Sequence, residues 1–197
     1  MRKQLVAALI VVAFVLPLQA APPEKAIFAG GCFWCTESDF EKVPGVISAI
    51  SGYTGGSVVR PSYEQVSGGG TGHRESVEVL FDPQKVSYAK LLDVFWHSVD
   101  PTDNDGQFCD KGAQYRSAIF YLNDAQRRLA EASKQALEPR FGGKIATDVL
   151  PASTFYTAED YHQDYYKKNP LQYKFYVTGC GRYARLDSLW GELRSRH

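Results

Sequence analysis

The chain has 197 residues, 22 basic against 22 acidic side chains, 44% hydrophobic and 13% aromatic content, and four cysteines. This is enough apolar material for the core of one domain, and the chain shows no internal repeat and no low-complexity tract. Balanced charge without a basic stripe excludes the electrostatic footprint of a nucleic-acid binder.

Arg2 and Lys3 precede an apolar run from Leu5 to Leu18, followed by small Ala20 and Ala21. This is the pattern of a secretory signal peptide over residues 1–20, and the run falls short of the roughly 20 residues a membrane-spanning helix wants. No cysteine stands at the cleavage point to take a lipid anchor. Cleavage leaves one domain, 21–197, with 20 basic groups (22 minus Arg2 and Lys3) against 22 acidic, about −2. The mature protein is expected to be periplasmic or secreted, with no stable membrane insertion.

Lys25 to Ala29 reads as a strand and Phe33 to Val43 as a helix stopped by Pro44-Gly45. Between them runs Gly30-Gly31-Cys32-Phe33-Trp34-Cys35. Cys32 opens the helix, where unpaired N–H groups and the positive dipole end favour a thiolate, and Phe33 and Trp34 offer an apolar wall beside the sulfur. A cysteine among aromatics is most often simple core. Cys-x-x-Cys at a strand-to-helix junction, however, is the spacing of redox dithiols.

Val46 to Tyr53 is a second strand closed by Gly55-Gly56, and a polar, glycine-rich loop follows from Ser57 to Gly72, a length that usually signals function. Glu75 to Phe81 is a strand, Ser87 to Ser98 a helix with Leu91, Leu92 and Phe95 on one side, and a loop runs to Lys111-Gly112. Tyr115 to Leu122 is a strand, Asp124 to Leu137 a helix and Ile145 to Leu150 a strand. The order up to Leu122 is βαββαβ. The expected fold is therefore α+β, a ferredoxin-like core with an added helix and strand and a mostly irregular C-terminal tail. Within that tail, Thr157-Ala158-Glu159-Asp160 signals a capped helix that ends before Pro170.

Strand alternation places Glu75 on one face with Val77, Val79 and Phe81. A carboxyl on an apolar face is costly to ionise, so its pKa rises and it becomes a candidate proton donor. At the strand's edge it would instead be solvated or paired with Arg74. Tyr63 and Tyr115 frame the same region and each can donate a phenolic hydrogen bond, although with twelve tyrosines composition alone does not single them out. The four cysteines of an exported chain also admit two structural disulfides in one of three pairings. A metal is not expected, since Cys109 and Cys180 form no second close pair and the histidines are scattered.

Taken together, Gly31-Cys32-Phe33-Trp34, Gly52-Tyr53-Thr54-Gly55-Gly56, Thr71-Gly72-His73 with Glu75, Gln114-Tyr115-Arg116-Ser117, Phe155-Tyr156, Ala158-Glu159-Asp160-Tyr161-His162-Gln163 and Lys168-Asn169-Pro170 resemble the A-type peptide methionine sulfoxide reductase family. The matches run in order over nearly all of the mature chain. The resemblance implies reduction of the S-epimer of methionine sulfoxide, free or in oxidised proteins, with no bound cofactor. It makes Cys32 the nucleophile and Glu75 the acid, has Tyr63 and Tyr115 bond the sulfoxide oxygen, lets Phe33 and Trp34 hold the S-methyl group, and places Asp110 in the polar network around the substrate. Cys32 becomes a sulfenic acid, a second thiol closes a disulfide, and an external dithiol such as a thioredoxin-like protein reduces it.

The commonest family pattern has glycine where Cys35 stands, and the segment Gly179-Cys180-Gly181-Arg182 differs from tails that carry paired recycling cysteines. Cys180 is the first candidate for the resolving thiol, because flanking glycines suit a tail that swings toward Cys32. Cys35 is the second, and Cys109 could pair with either or remain a buried thiol. The competing activity is a thioredoxin-like disulfide oxidoreductase, which would pack a proline-containing strand against its dithiol. A binding module with structural disulfides would instead show unreactive cysteines.

Overall fold

The computed structural model describes residues 21–191. The expected signal peptide lies outside these residues. Strand β1 (Glu24–Ala29), helix α1 (Phe33–Glu41), β2 (Val46–Thr54), α2 (Tyr63–Ser67), β3 (Arg74–Phe81) and α3 (Tyr88–Ser98) open the domain. A short hairpin, β4 (Gly106–Gln107) with β5 (Asp110–Lys111), and a 3-10 turn (Ala113–Tyr115) lead to β6 (Ala118–Tyr121). Then come α4 (Asp124–Leu137), β7 (Asp148–Pro151), β8 (Tyr156–Thr157), α5 (Tyr165–Lys168), α6 (Pro170–Gly179) and α7 (Arg182–Trp190).

The six-stranded sheet has the order β7-β6-β1-β3-β2-β8. Its inner strands β6-β1-β3-β2 are all antiparallel, the βαββαβ core expected from element order, and β7 adds in parallel to β6. Alternation along β1 divides the two faces. Ala26 and Phe28 point with Val77, Val79 and Phe81 toward α1 and α3, whereas Ile27 and Ala29 join Ala118 and Phe120 under Leu150, Ala152 and Phe155. Phe28 stacks on Phe40 of α1 at 4.7 Å and on Phe95 of α3 at 5.3 Å, so three aromatic rings pin both helices to the sheet. Each such fully buried ring contributes roughly 2 kcal/mol from apolar burial.

Local signals account for several ends. Ser87 caps α3 by accepting from Lys90 N at 3.2 Å, and Asn123 caps α4 by accepting from Gln126 N at 2.9 Å. The long loop is not structureless: Ser62 and Gln65 form a capping box that starts α2.

The C-terminal tail differs from expectation, being largely helical. Asn169 precedes Pro170 at the first position of α6, and Gly181, at φ +64°, turns the chain from α6 into α7. The segment Thr157-Ala158-Glu159-Asp160 does not start a helix. Thr157 pairs with Gly52 in the sheet, and the Glu159 carboxylate is taken by Tyr53 and Tyr63. A tertiary partner therefore outcompetes the local cap. Tyr115 ends the 3-10 turn rather than opening β6.

Candidate active site

The turn from β1 to α1 depends on Gly31. Its φ is +87°, and a Cβ there would lie 2.5 Å from the Cβ of Gln107. Gln107 is itself fixed, its amide exchanging 2.8 Å hydrogen bonds with the backbone N and O of Asp100. Cys32 is the N-cap of α1 but makes no side-chain cap bond. The next amide, of Phe33, donates to Glu75 Oε2 at 3.0 Å, so the positive helix end faces the Glu75 carboxyl instead.

This overturns the expectation of a preformed Cys32 thiolate. Burial, together with Cys35 and the charge of Glu75, raises the Cys32 thiol well above its ordinary value. The hydrogen bond from Cys32 and the charge of Arg182 hold Cys35 below the ordinary value in spite of its burial. Of the two coupled thiols, Cys35 is therefore the one that ionises more readily.

Glu75 is where alternation along the strand predicts, only 2% exposed and across from Tyr53 in the sheet. Burial raises its pKa to about 8, against the lowering effect of the Phe33 N–H. Arg74 does not neutralise it. That guanidinium turns away to Asp148 at 2.5 Å and to the Ser117 carbonyl at 2.9 Å. At neutral pH Glu75 is thus a largely protonated carboxylic acid beside the Cys32 sulfur.

Tyr63 arrives on α2, its amide donating to Glu159 Oε1 at 2.9 Å while Tyr53 donates to Oε2 at 2.8 Å. Burial and the nearby Glu75 push the Tyr63 phenol up to about 12, and burial raises Tyr115 likewise. Both hydroxyls are therefore firmly protonated donors. Asp110, carried by the β4–β5 hairpin, accepts a hydrogen bond from the Tyr176 hydroxyl, and burial raises its pKa.

Cys32, Phe33, Trp34, Tyr63, Glu75, Asp110 and Tyr115 line one cavity of about 270 Å³, joined by Tyr176. The catalytic and substrate-binding candidates read from the sequence are all brought together there. Trp34 is locked in place, its Nε1 donating to His162 Nδ1 at 3.0 Å and its ring stacked on Tyr165 at 3.7 Å. The same histidine ring lies 4.9 Å from Phe33 and 4.4 Å from Tyr63, so one buried imidazole braces the aromatic wall.

The cysteines are distributed differently from expectation. Cys180 does not sit on a swinging tail: it caps the C-terminus of α6 and is disulfide-bonded to Cys109, with a Cα–Cα distance of 4.9 Å. Cys32 and Cys35 are the free pair, both buried. They pack against Val177, Tyr173 and Tyr176 of α6, where a disulfide oxidoreductase would place a proline-containing strand. Among the described residues the carboxylates of Glu37, Glu41 and Asp164 also converge, but Lys167 Nζ already pairs with Glu41 at 2.6 Å and Asp164 at 2.7 Å.

Four contributors were not assigned roles from the sequence. Glu159 and His162 belong to the matched family pattern, but nothing local says that one anchors Tyr63 and the other holds Trp34. Tyr176 is one of twelve tyrosines, and Arg182 is an arginine in a helical segment with no local sign of its burial.

The profile of the family described as peptide methionine sulfoxide reductase matches residues 24–194. Among curated relatives, the peptide methionine sulfoxide reductase MsrA 2 of Rhizobium meliloti (strain 1021) is 53% identical over 178 residues, 90% of this chain and 89% of that protein. The MsrA of Bacillus subtilis (strain 168) is 52% identical over 170 residues, 85% of this chain and 96% of that protein. Among solved structures, reduced Mxr1 from Saccharomyces cerevisiae superposes with a TM-score of 0.73 at 34% identity, covering 81% of this chain and 93% of that one.

Proposed function

The chain belongs to the peptide methionine sulfoxide reductase family and is an oxidoreductase that reduces methionine sulfoxide, and we propose that it acts on the S-epimer through Cys32, with Glu75 as the acid. The observation that carries this assignment is the buried Glu75 carboxyl, with a pKa of about 8, lining the same cavity as the Cys32 sulfur. A sulfoxide sulfur is attacked by a thiolate only as its oxygen is protonated, and a neutral carboxylic acid in a dry site supplies that proton.

The steps follow from the groups that line the cavity. Cys32, which loses its proton as a coupled pair with Cys35, attacks the sulfoxide sulfur as a thiolate, while Glu75 gives its proton to the oxygen. The Tyr63 and Tyr115 hydroxyls donate to that oxygen as charge builds on it. Phe33 and the braced Trp34 ring hold the methyl group in an apolar slot, and the polar Asp110–Tyr176 pair lines the same cavity, the Tyr176 ring edge-on to Trp34 at 5.8 Å. Methionine leaves and Cys32 becomes a sulfenic acid. With Cys180 bound to Cys109, Cys35 is the thiol placed to resolve it, and a thioredoxin-like dithiol then reduces the Cys32–Cys35 disulfide.

Export to the periplasm or beyond belongs to the same proposal. The charged, apolar and small-residue pattern of residues 1–20 supports it, as does the Cys109–Cys180 disulfide, a bond that persists in oxidising compartments. No helix among the described residues is long and apolar enough to cross a membrane.

The test is epimer-resolved chromatography of methionine sulfoxide incubated with the protein and a chemical dithiol, beside Cys32→Ser. Loss of the S-epimer alone, abolished by Cys32→Ser, is the expected result. Consumption of both epimers, or turnover that survives Cys32→Ser, would overturn the assignment.

A further inference from the structure

Arg182 is an arginine whose side chain is 4% exposed, at the first position of α7, far in sequence from the catalytic turn. Its Nη2 lies 2.6 Å from Asp39 Oδ2 and 2.6 Å from the Ser98 carbonyl, and its guanidinium sits 4.8 Å from the Phe108 ring. Asp39 is one helical turn beyond Cys35 on α1, so the cation is clamped alongside the helix that carries both free thiols. Arg182 also lines a small cavity of about 10 Å³ with Cys32, Cys35 and Cys180, which shares Cys32, Asp110 and Tyr176 with the substrate cavity. Burying an arginine this completely is costly, and one carboxylate with a carbonyl does not use all of its five donors.

We propose that Arg182 is a positioning residue for the second half of the catalytic cycle: its charge, held against Asp39, keeps Cys35 available as the thiolate that closes on the Cys32 sulfenic acid and that departs again when the disulfide is reduced. The inference rests on Cys35 being the resolving thiol. In closure, Cys35 gives up its proton and its sulfur attacks Cys32 Sγ. The S–S bond forms as the S–O bond breaks, Cys35 is oxidised as the sulfenic sulfur is reduced, and the departing hydroxide takes the proton and leaves as water. In reduction, the external dithiol attacks Cys32 through the substrate cavity and Cys35 leaves as a thiolate, which goes faster the lower its pKa.

The groups that face Cys35 are Cys32 and Asp39 on α1, Tyr173 and Tyr176 on α6, Arg182 on α7, Glu75 on β3 and Asp110 on β5. Arg182 is the only fixed cation among them, and its charge acts on Cys35 in the direction required. Losing it removes about tenfold of thiolate for each pH unit by which the thiol titrates higher, and returns about threefold in intrinsic nucleophilicity, so each such unit slows closure about threefold.

The experiment is a rapid-quench single turnover of the reduced protein with excess methionine sulfoxide and no reductant, from pH 6 to pH 8. Methionine is counted as the burst, the sulfenic acid is trapped with a cyclic 1,3-dione, and the disulfide is assigned by peptide mapping. In Arg182→Met the burst should persist while the sulfenic acid lives at least three times longer at pH 7 and closure accelerates with pH. Arg182→Lys, which restores the charge, should recover most of the rate. Closure in Arg182→Met within twofold of the parent and equally flat in pH, with closure abolished in Cys35→Ser, would overturn the role of Arg182 alone. Closure at the parental rate in Cys35→Ser would instead overturn the assignment of Cys35 on which the proposal rests. If Arg182→Met does not fold, the parent's own profile decides. Closure independent of pH supports a standing Cys35 thiolate, and a tenfold rise per pH unit refutes it.

Discussion

Glu75→Gln separates the chemical from the structural consequences of burying an acid. In the folded protein the Glu75 pKa is about 8 against an ordinary 4.5, so between those values the folded state binds more protons than the unfolded chain. Stability contributed by this position is therefore intact below pH 4.5 and declines as pH rises toward 8, the opposite of a salt-bridged carboxylate. By pH 7 the decline has run over about 2.5 pH units at about 1.4 kcal/mol each, roughly 3 kcal/mol. Glutamine keeps the acceptor for the Phe33 N–H and never ionises, but its new amide donors lack a partner, which costs about 1 kcal/mol. The net expectation is a gain of about 2 kcal/mol at pH 7, or about 6 °C in melting temperature for a domain of this size, that vanishes near pH 5. Thermal melts of both proteins from pH 5 to pH 8 measure it, alongside single-turnover methionine release, which should fall at least a hundredfold in the variant. A melting difference that does not grow with pH would show that Glu75 is not titrating in a buried site. Undiminished methionine release would show that it is not the acid.

Other positions give independent checks. His162→Phe keeps the ring packing but removes the acceptor of the Trp34 N–H. Steady-state kinetics should show kcat/KM lowered about tenfold, mostly through KM, because a lost buried hydrogen bond costs about 1–2 kcal/mol and frees the wall that grips the methyl group. Gly31→Ala forces a side chain into a backbone with φ +87° and onto Gln107. Denaturant unfolding should show a loss of about 2 kcal/mol or more, and an unchanged midpoint would mean that the turn relaxes freely. Replacing Cys109 and Cys180 together by serine opens a cross-link between residues 71 apart in sequence. Urea titration should show about 3–4 kcal/mol of lost stability, while the Cys32–Cys35 disulfide still forms after one turnover.

Much of this protein follows from local pattern. The two-residue period of β3 put Glu75 among apolar neighbours, and burial alone then dictated a protonated acid. The helix read over Asp124 to Leu137 is α4, and element order announced the sheet, because hydrophobic periodicity is a property of a short stretch of chain. The family pattern added Tyr63, Tyr115 and Asp110, which local physics could not have picked out. What only the tertiary structure decided concerns groups whose partners lie far away in sequence. Glu75, not Cys32, received the helix amide, and of the two thiols it is Cys35 that is held below its ordinary value. Cys180 was claimed by Cys109, and Glu159 left its capping role for Tyr53 and Tyr63. Arg182 became the buried cation beside the thiols. A charge responds to whatever stands within a few ångströms of it in space, and no periodicity in the chain encodes which distant residue that will be.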